Sequence, residues 1–199
     1  MRRFAVVGHR AMARGKLPLN DLAGAGGRFD VLVRAMTAAL LTSHGLRDDV
    51  EVILHLAGGP GPARRLRLNG ATVRGLHADE RSAAGMLGKA LLNPQPPRGQ
   101  WREVTSGLDE SGGTLVDTLR EWRESRVFVL DAEAPSLVDL LAEQPSLPQD
   151  DLGFVLSDDQ PLTEADLGDH PVDRCSLGSR WLQGHAAVHI VHWLLDRQA

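Results

Sequence analysis

The sequence predicts an α/β domain built on a mostly parallel sheet, and three observations carry that class. Short, almost wholly apolar runs at residues 4–7, 50–56, 127–130 and 153–156 read as strands buried on both faces. Segments with apolar residues three and four apart alternate with them, as helices between parallel strands should. The stretch from 153 to 192 then holds two strand-to-loop junctions and a closing helix, which sets free backbone N–H and C=O groups side by side at strand carboxyl ends, where open α/β sheets bind ligands. Ordinary αβ turns read the same way on pattern alone. The first loop, Ser157-Asp158-Asp159, is acidic, and the second, Ser176-Leu177-Gly178-Ser179, is small and polar, and that contrast favours a ligand.

The elements follow in order. Met1 to Gly8 is a first strand, too weakly apolar for a secretory leader. Residues 11–27 are a loop broken by Gly15, Pro18 and the glycines at 24, 26 and 27. From Phe29 the stripe Leu32, Ala35, Met36, Ala39, Leu40 predicts a helix, with Asp30 near its N-terminus as a cap or dipole partner and His44-Gly45 as its stop. Residues 50–56 are a central strand. Asn69-Gly70 between residues 64–68 and 71–76 predicts a hairpin with Leu66 and Leu68 on one face and Arg65 and Arg67 on the other, an exposed basic ribbon carrying Arg64 as well. Asp79 caps a second helix running through Leu92, residues 93–99 are a proline-rich loop, and residues 101–108 are weakly extended. A helix over 114–123, a strand over 127–131, a brief helix over 136–142 closed by Pro145 and Pro148, and the terminal block complete the chain.

Composition bounds the function. A chain of 199 residues, 42% hydrophobic, supports one sizeable core. No apolar run approaches the roughly 20 residues of a membrane span. The single cysteine, Cys175, excludes an intramolecular disulfide, and without an export signal a cytoplasmic location is expected. The net charge of −4 hides an asymmetry: residues 1–104 hold 16 Lys/Arg against 8 Asp/Glu, and the rest hold 6 against 18. A basic end of this kind points to a polyanionic partner, although a solvated basic surface has the same composition.

Several motif-like stretches lack the context their chemistry needs. Gly15-Lys16 lacks the spacing and the hydroxyl of a phosphate loop. His185, His189 and His192 share a helical face, yet without the adjacent glutamate of the zinc motif they read as buried or interface histidines, and no metal is expected. Cys175 has no nucleophile signature and reads as buried. Ser179 is not in a nucleophile elbow.

Three blocks, Gly27-Arg28-Phe29-Asp30-Val31-Leu32-Val33-Arg34, Ser43-His44-Gly45-Leu46-Arg47-Asp48-Asp49-Val50 and Asp79-Glu80-Arg81, together with the tail Phe154-Val155-Leu156-Ser157-Asp158, Ser176-Leu177-Gly178-Ser179 and His192-Trp193-Leu194-Leu195-Asp196, resemble the archaeal tRNA pseudouridine-54 N1-methyltransferases over nearly the whole chain. The Ala-, Arg- and Gly-rich composition would suit a bacterial relative. The resemblance implies a single SPOUT-type domain over 1–199 with helices on both faces of the sheet, a C-terminal trefoil knot over about 125–199, and a homodimer. Knots are too rare for periodicity to suggest one. It implies S-adenosylmethionine as cofactor, held mostly by backbone groups at Leu130, Ser157, Leu177, Gly178, Ser179, Arg180, Trp181, Leu182 and Ala187. The implied reaction is N1-methylation of pseudouridine in tRNA, with Asp30 orienting the base or accepting its proton and Arg28 stabilising negative charge or gripping phosphate. Arg64, Arg65 and Arg67 are the expected RNA contacts. The terminal helix offers Val188, Val191, Leu194 and Leu195 for burial between protomers.

This chain departs from the resembled pattern at Ser157 (glycine there), over Ser179 to Leu182 (a Pro-Leu-Glu-Leu run there) and at Ala187 (cysteine there), and bulky Trp181 would narrow the cofactor site. Those departures motivate the alternative, a catalytically silent RNA-binding dimer that keeps the fold.

Overall fold

The computed structural model describes residues 1–144, 146–147 and 151–197. Its strands are β1 (Arg2–Met12), β2 (Val50–Gly58), β3 (Arg64–Asn69), β4 (Arg102–Thr105), β5 (Leu108–Gly112), β6 (Arg126–Leu130), β7 (Leu152–Ser157) and β8 (Asp173–Cys175). Its helices are α1 (Phe29–Leu40), α2 (Glu80–Leu91), α3 (Leu115–Glu121), α4 (Leu137–Glu143), α5 (Glu164–Leu167) and α6 (Gly184–Asp196). The strands form one sheet in the order β4-β5-β3-β2-β1-β7-β6-β8. Neighbours from β2 to β8 in that order run parallel, and β3, β5 and β4 extend the sheet as antiparallel neighbours.

Alternation along the strands explains why both faces are covered. Phe4, Val6, Leu54, Phe128, Phe154 and Leu156 join one core with α1, α2, α4 and α6, whereas Ala5, Val7, Ile53, Val129 and Val155 join a second with α3 and α5. Phe4, Phe154 and Phe128 lie side by side on three neighbouring strands with ring centroids 5.7 Å apart, and the His192 ring meets Phe4 edge-on at 5.0 Å. Helix starts are chemically signed: Asp79 accepts the Ser82 N–H, Ser136 accepts that of Val138, and Thr114 forms a reciprocal capping box with Asp117.

Three expectations need correction. The Asn69-Gly70 hairpin does not form: residues 71–78 hold no strand, and the outer edge of β3 is taken by β5. β3 is therefore interior to the sheet, and its arginines are not an exposed ribbon. Arg64 and Arg65 are 2% and 0% exposed; Arg64 pairs with Glu110 at 2.6 Å, Arg65 with Glu121 at 2.9 Å, and the partly buried Arg67 with Asp109 at 2.8 Å. The guanidinia of Arg65 and Arg67 also lie over the Trp101 ring, 4.6 and 4.2 Å from its centroid. Residues 101–108 are extended as expected over β4 and turn at Ser106-Gly107 into β5, with Gly107 at φ 72°. α1 stops at Leu40, before His44-Gly45, because the chain enters a bridge between Leu41 and Leu46. Finally, Val188, Val191, Leu194 and Leu195 are buried inside the protomer and are not themselves available to a partner. Pro145 and Pro148 lie outside the described residues.

Candidate functional site

The carboxyl ends of β1, β7, β6 and β8 open on the same edge, and two adjoining cavities lie there. The smaller, about 80 Å³, is walled by Leu130, Asp131 and Ala132 after β6, by Leu156, Ser157 and Asp158 at the end of β7, by Leu177, Gly178, Arg180, Trp181 and Leu182 after β8, and by Gly184 and Ala187 of α6. Eight of the nine residues expected at the cofactor are in that wall; Ser179 is not. The larger, about 570 Å³, is lined by Arg28, Val31 and Arg34 at the start of α1, by residues 157–161, and by residues 181–185. The two share Ser157, Asp158, Trp181, Leu182 and Gly184.

The loop after β8 is suited to hold a ligand by its backbone. Among the described residues, no N–H or C=O of residues 177–182 has a hydrogen-bond partner, and residues 178–182 are exposed, so these groups are open to water or to a ligand. Gly178 adopts φ 126° with nothing within 4 Å of where a side chain would start, so the cleft is open there. Trp181 does not fill the cleft: it is 69% exposed and stands on the rim shared by both cavities.

On the opposite wall, Asp30 is buried and caps nothing; the helix N-cap position is Arg28. Arg28 donates to Asp30 through Nε at 3.0 Å and Nη2 at 3.3 Å, and Arg34 through Nη2 at 2.8 Å. Asp30 lines neither cavity, whereas the two arginines it holds line the larger one. The structure thus places Arg28 at the cavity and Asp30 behind it. Arg34 also pairs with Glu80 at 3.0 Å.

Asp158 sits where the cavities meet, with a fully buried side chain. It accepts the His9 N–H at 2.8 Å, His9 Nδ1 at 2.9 Å and the Gln160 N–H at 3.0 Å. His9 Nε2 faces Asp166 at 3.6 Å. The sequence marked this loop as acidic without giving Asp158 a place, since its partner at position 9 is 149 residues away. Arg34, Gln160, Asp131 and Gln183 were missed in the same way, as polar residues with no motif of their own.

The remaining candidates fall away on environment. Cys175 is buried, and desolvation pushes its thiol up to about 12, so no thiolate is available. His192 is buried; its Nε2 donates to the Ala39 carbonyl at 3.0 Å, and Nδ1 accepts from Arg2 at 3.3 Å. Among the described residues no cluster of three His, Cys, Asp or Glu could hold a metal ion.

Known proteins are similar to this chain in sequence and in fold. Residues 1–199 match the family described as SAM-dependent RNA methyltransferase. The chain is 37% identical to the tRNA (pseudouridine(54)-N(1))-methyltransferase of Methanocella arvoryzae, with both chains covered in full. It is 36% identical to the enzyme of the same name from Halobacterium salinarum, over 98% of this chain and 96% of that one. Among solved structures, Archaeoglobus fulgidus Nep1 bound to S-adenosylhomocysteine superposes with a TM-score of 0.66 at 14% identity, over 98% of this chain and 97% of that one, a likeness of fold.

Proposed function

This chain belongs to the SAM-dependent RNA methyltransferase family, and from that premise we propose that it transfers a methyl group from S-adenosylmethionine to N1 of pseudouridine in tRNA. The observation that carries the reading is the meeting of the two cavities at Ser157, Asp158, Trp181 and Leu182, with Arg28 and Arg34 facing the larger. The cofactor belongs in the smaller cleft, whose unpaired loop backbone and open Gly178 fit an adenosine held by main-chain groups. Bound there, it supplies an electrophilic methyl group on a sulfonium. The base belongs in the larger cavity, which is wide enough for a nucleotide.

The chain's own residues then have definable work. Transfer forms the N1–C bond as the S–C bond breaks, and N1 must first give up its weakly acidic proton, which the open cavity passes to water. Arg28 and Arg34 stabilise the charge that develops on the base when that proton leaves. Asp30 is a positioning residue: it fixes both guanidinia from behind. Trp181 presents an exposed ring at the rim, a surface on which a base can stack.

The same reading extends to architecture. A single domain over 1–199 with a C-terminal knot is supported by the pairing of the residue after β8 with the segment between β6 and α4, where the Ser176 N–H donates to the Pro135 carbonyl and the Leu137 N–H donates to the Ser176 carbonyl. A homodimer is supported by Trp181, Leu182 and Trp193, apolar side chains left exposed on the loop and the terminal helix. Transfer of label from S-adenosylmethionine to two tRNA transcripts, one with pseudouridine and one with uridine at position 54, tests the function. Methyl recovered as N1-methylpseudouridine from the first alone is the expected result; no label in either overturns the reading.

A further inference from the structure

A second arginine pair, Arg10 with Arg28, meets on Asp159 beside the larger cavity, and its construction is unusual. Arg10 Nη2 bonds Asp159 Oδ2, and Arg28 Nη1 lies 3.6 Å from the same oxygen. Two guanidinia from distant segments, one at the end of β1 and one ahead of α1, thus converge on a single oxygen. Asp159 itself lines the cavity.

The backbone is bent to bring both arginines there. The β1–β2 register shifts between Gly8 and Met12, which takes Arg10 out of the ladder. The Arg10 carbonyl is wedged between two glycines: a Cβ at Gly27 would lie 1.9 Å from that oxygen, and one at Gly58 2.0 Å. Arg28, at φ 65°, is the one non-glycine residue with positive φ among the described residues. Such strain persists where the surroundings enforce it, and it concentrates at functional sites. A half-exposed ion pair is poor compensation, since Arg10 and Asp159 are 49% and 41% exposed and surface pairs contribute little to a fold.

We propose that Arg10 and Arg28 form a seat for one phosphate of the RNA substrate, and that Asp159 is its internal occupant, displaced when the RNA docks. The inference rests on the RNA methyltransferase reading of the cavity. Guanidinium forks match phosphate oxygens as they match a carboxylate. A tethered carboxylate keeps the seat closed to stray anions, because an anion not positioned by the rest of the substrate must break two ion pairs to enter. Asp159 therefore sets specificity by opposing binding, a repulsive element beside an attractive one.

The test compares Asp159→Asn, Arg10→Gln and the double variant for affinity toward the two tRNA transcripts over a salt series, with S-adenosylmethionine affinity by calorimetry as the control. Asp159→Asn should tighten both RNAs by about three- to tenfold at low salt and narrow the preference between them. Arg10→Gln should weaken both and lower the slope of log affinity against log salt by roughly 0.7 to 0.9, one phosphate contact. In the double variant the tightening should shrink, since one arm of the seat is gone. Cofactor affinity should stay within about twofold throughout, as Asp159 lines only the larger cavity. Unchanged or weakened RNA binding by Asp159→Asn, or a shift in cofactor affinity with it, overturns the seat. This binding pattern in a chain that methylates neither transcript supports the seat and counts against the N1-methylation reading alone.

Discussion

Replacing Asp30 separates a positioning role from a proton-accepting one. In the fold its carboxylate, 4% exposed, receives three N–H groups at 3.0, 3.3 and 2.8 Å from Arg28 and Arg34. Asp30→Ala removes all three, but Arg28 and Arg34 are 33% and 42% exposed and regain water. The stability loss is therefore held to about 1–2 kcal/mol. Catalysis should suffer more, because two cations at the cavity wall lose their anchor, and a displacement of about 1 Å costs on the order of 100-fold. Asp30→Asn keeps the shape and one acceptor oxygen, so its loss should be nearer 10-fold by the same reasoning. Single-turnover methyl transfer, measured across pH with cofactor affinity checked by calorimetry, reads the difference. The expected outcome is a graded loss, with an unchanged pH profile and unchanged cofactor binding. Asn as inactive as Ala, together with the disappearance of an ionisation from the pH profile, would show that Asp30 takes the proton and that the positioning argument is wrong.

Glu110→Gln strands Arg64, which is 2% exposed, and should lower unfolding stability by about 3–5 kcal/mol in urea titrations. RNA affinity measured below the transition should hold, because neither group reaches the surface. Burial, helped by Arg47 and Arg2, pushes His192 from 6.5 down to about 4, and burial pushes His55 down to about 3. As pH falls through 6.5 the unfolded chain takes up the proton before the fold does, so the stability carried by neutral His192 is complete above that pH and drains away toward pH 4. The loss reaches about 3 kcal/mol for His192 by linkage; His192→Phe should remove that share of the slope between those limits and leave the share of His55, and a wild-type profile already flat there would contradict the buried, neutral ring. Light scattering at micromolar concentration should give a dimer, and Trp193→Glu should shift it toward monomer; a wild-type monomer would leave Trp181 and Trp193 without the proposed partner.

Strands β1, β2, β6 and β7 were legible because burial on both faces leaves a nearly unbroken apolar run, a local signal that the largely exposed β8 lacks. Pairing is not local, and there the reading failed. Asn69-Gly70 does turn the chain, with Asn69 Oδ1 accepting the Ala71 N–H at 3.0 Å. Its glycine, however, answers a tertiary need: a Cβ at Gly70 would sit 1.8 Å from the Arg47 carbonyl oxygen. The dipeptide marks a turn, and nothing in it says whether the chain beyond will pair. β3 finds its second neighbour in β5, across an intervening helix and loop, in a register that sets Leu66 opposite Glu110 and Leu68 opposite Leu108.

The same long-range pairing takes the β3 arginines out of the charge argument. Residues 1–104 and 105–199 differ sharply in charge along the chain, but the boundary falls inside the β4–β5 hairpin, and the fold lays acidic residues of the second part on basic residues of the first. Glu110, Glu121 and Asp109 neutralise Arg64, Arg65 and Arg67, while Asp196 takes Arg2 and Arg47. A run of arginines on a strand carries no information about which way it faces until the neighbouring strand is known. The lining of the smaller cavity was legible for the opposite reason: most of it lies at or just after the ends of β6, β7 and β8, so a motif within a few residues of each strand end places it. Arg10, Arg28 and Asp159 have no such motif in common. They meet because β1 lies between β2 and β7 in the sheet, with the β7 loop reaching Arg10 across 149 residues of sequence.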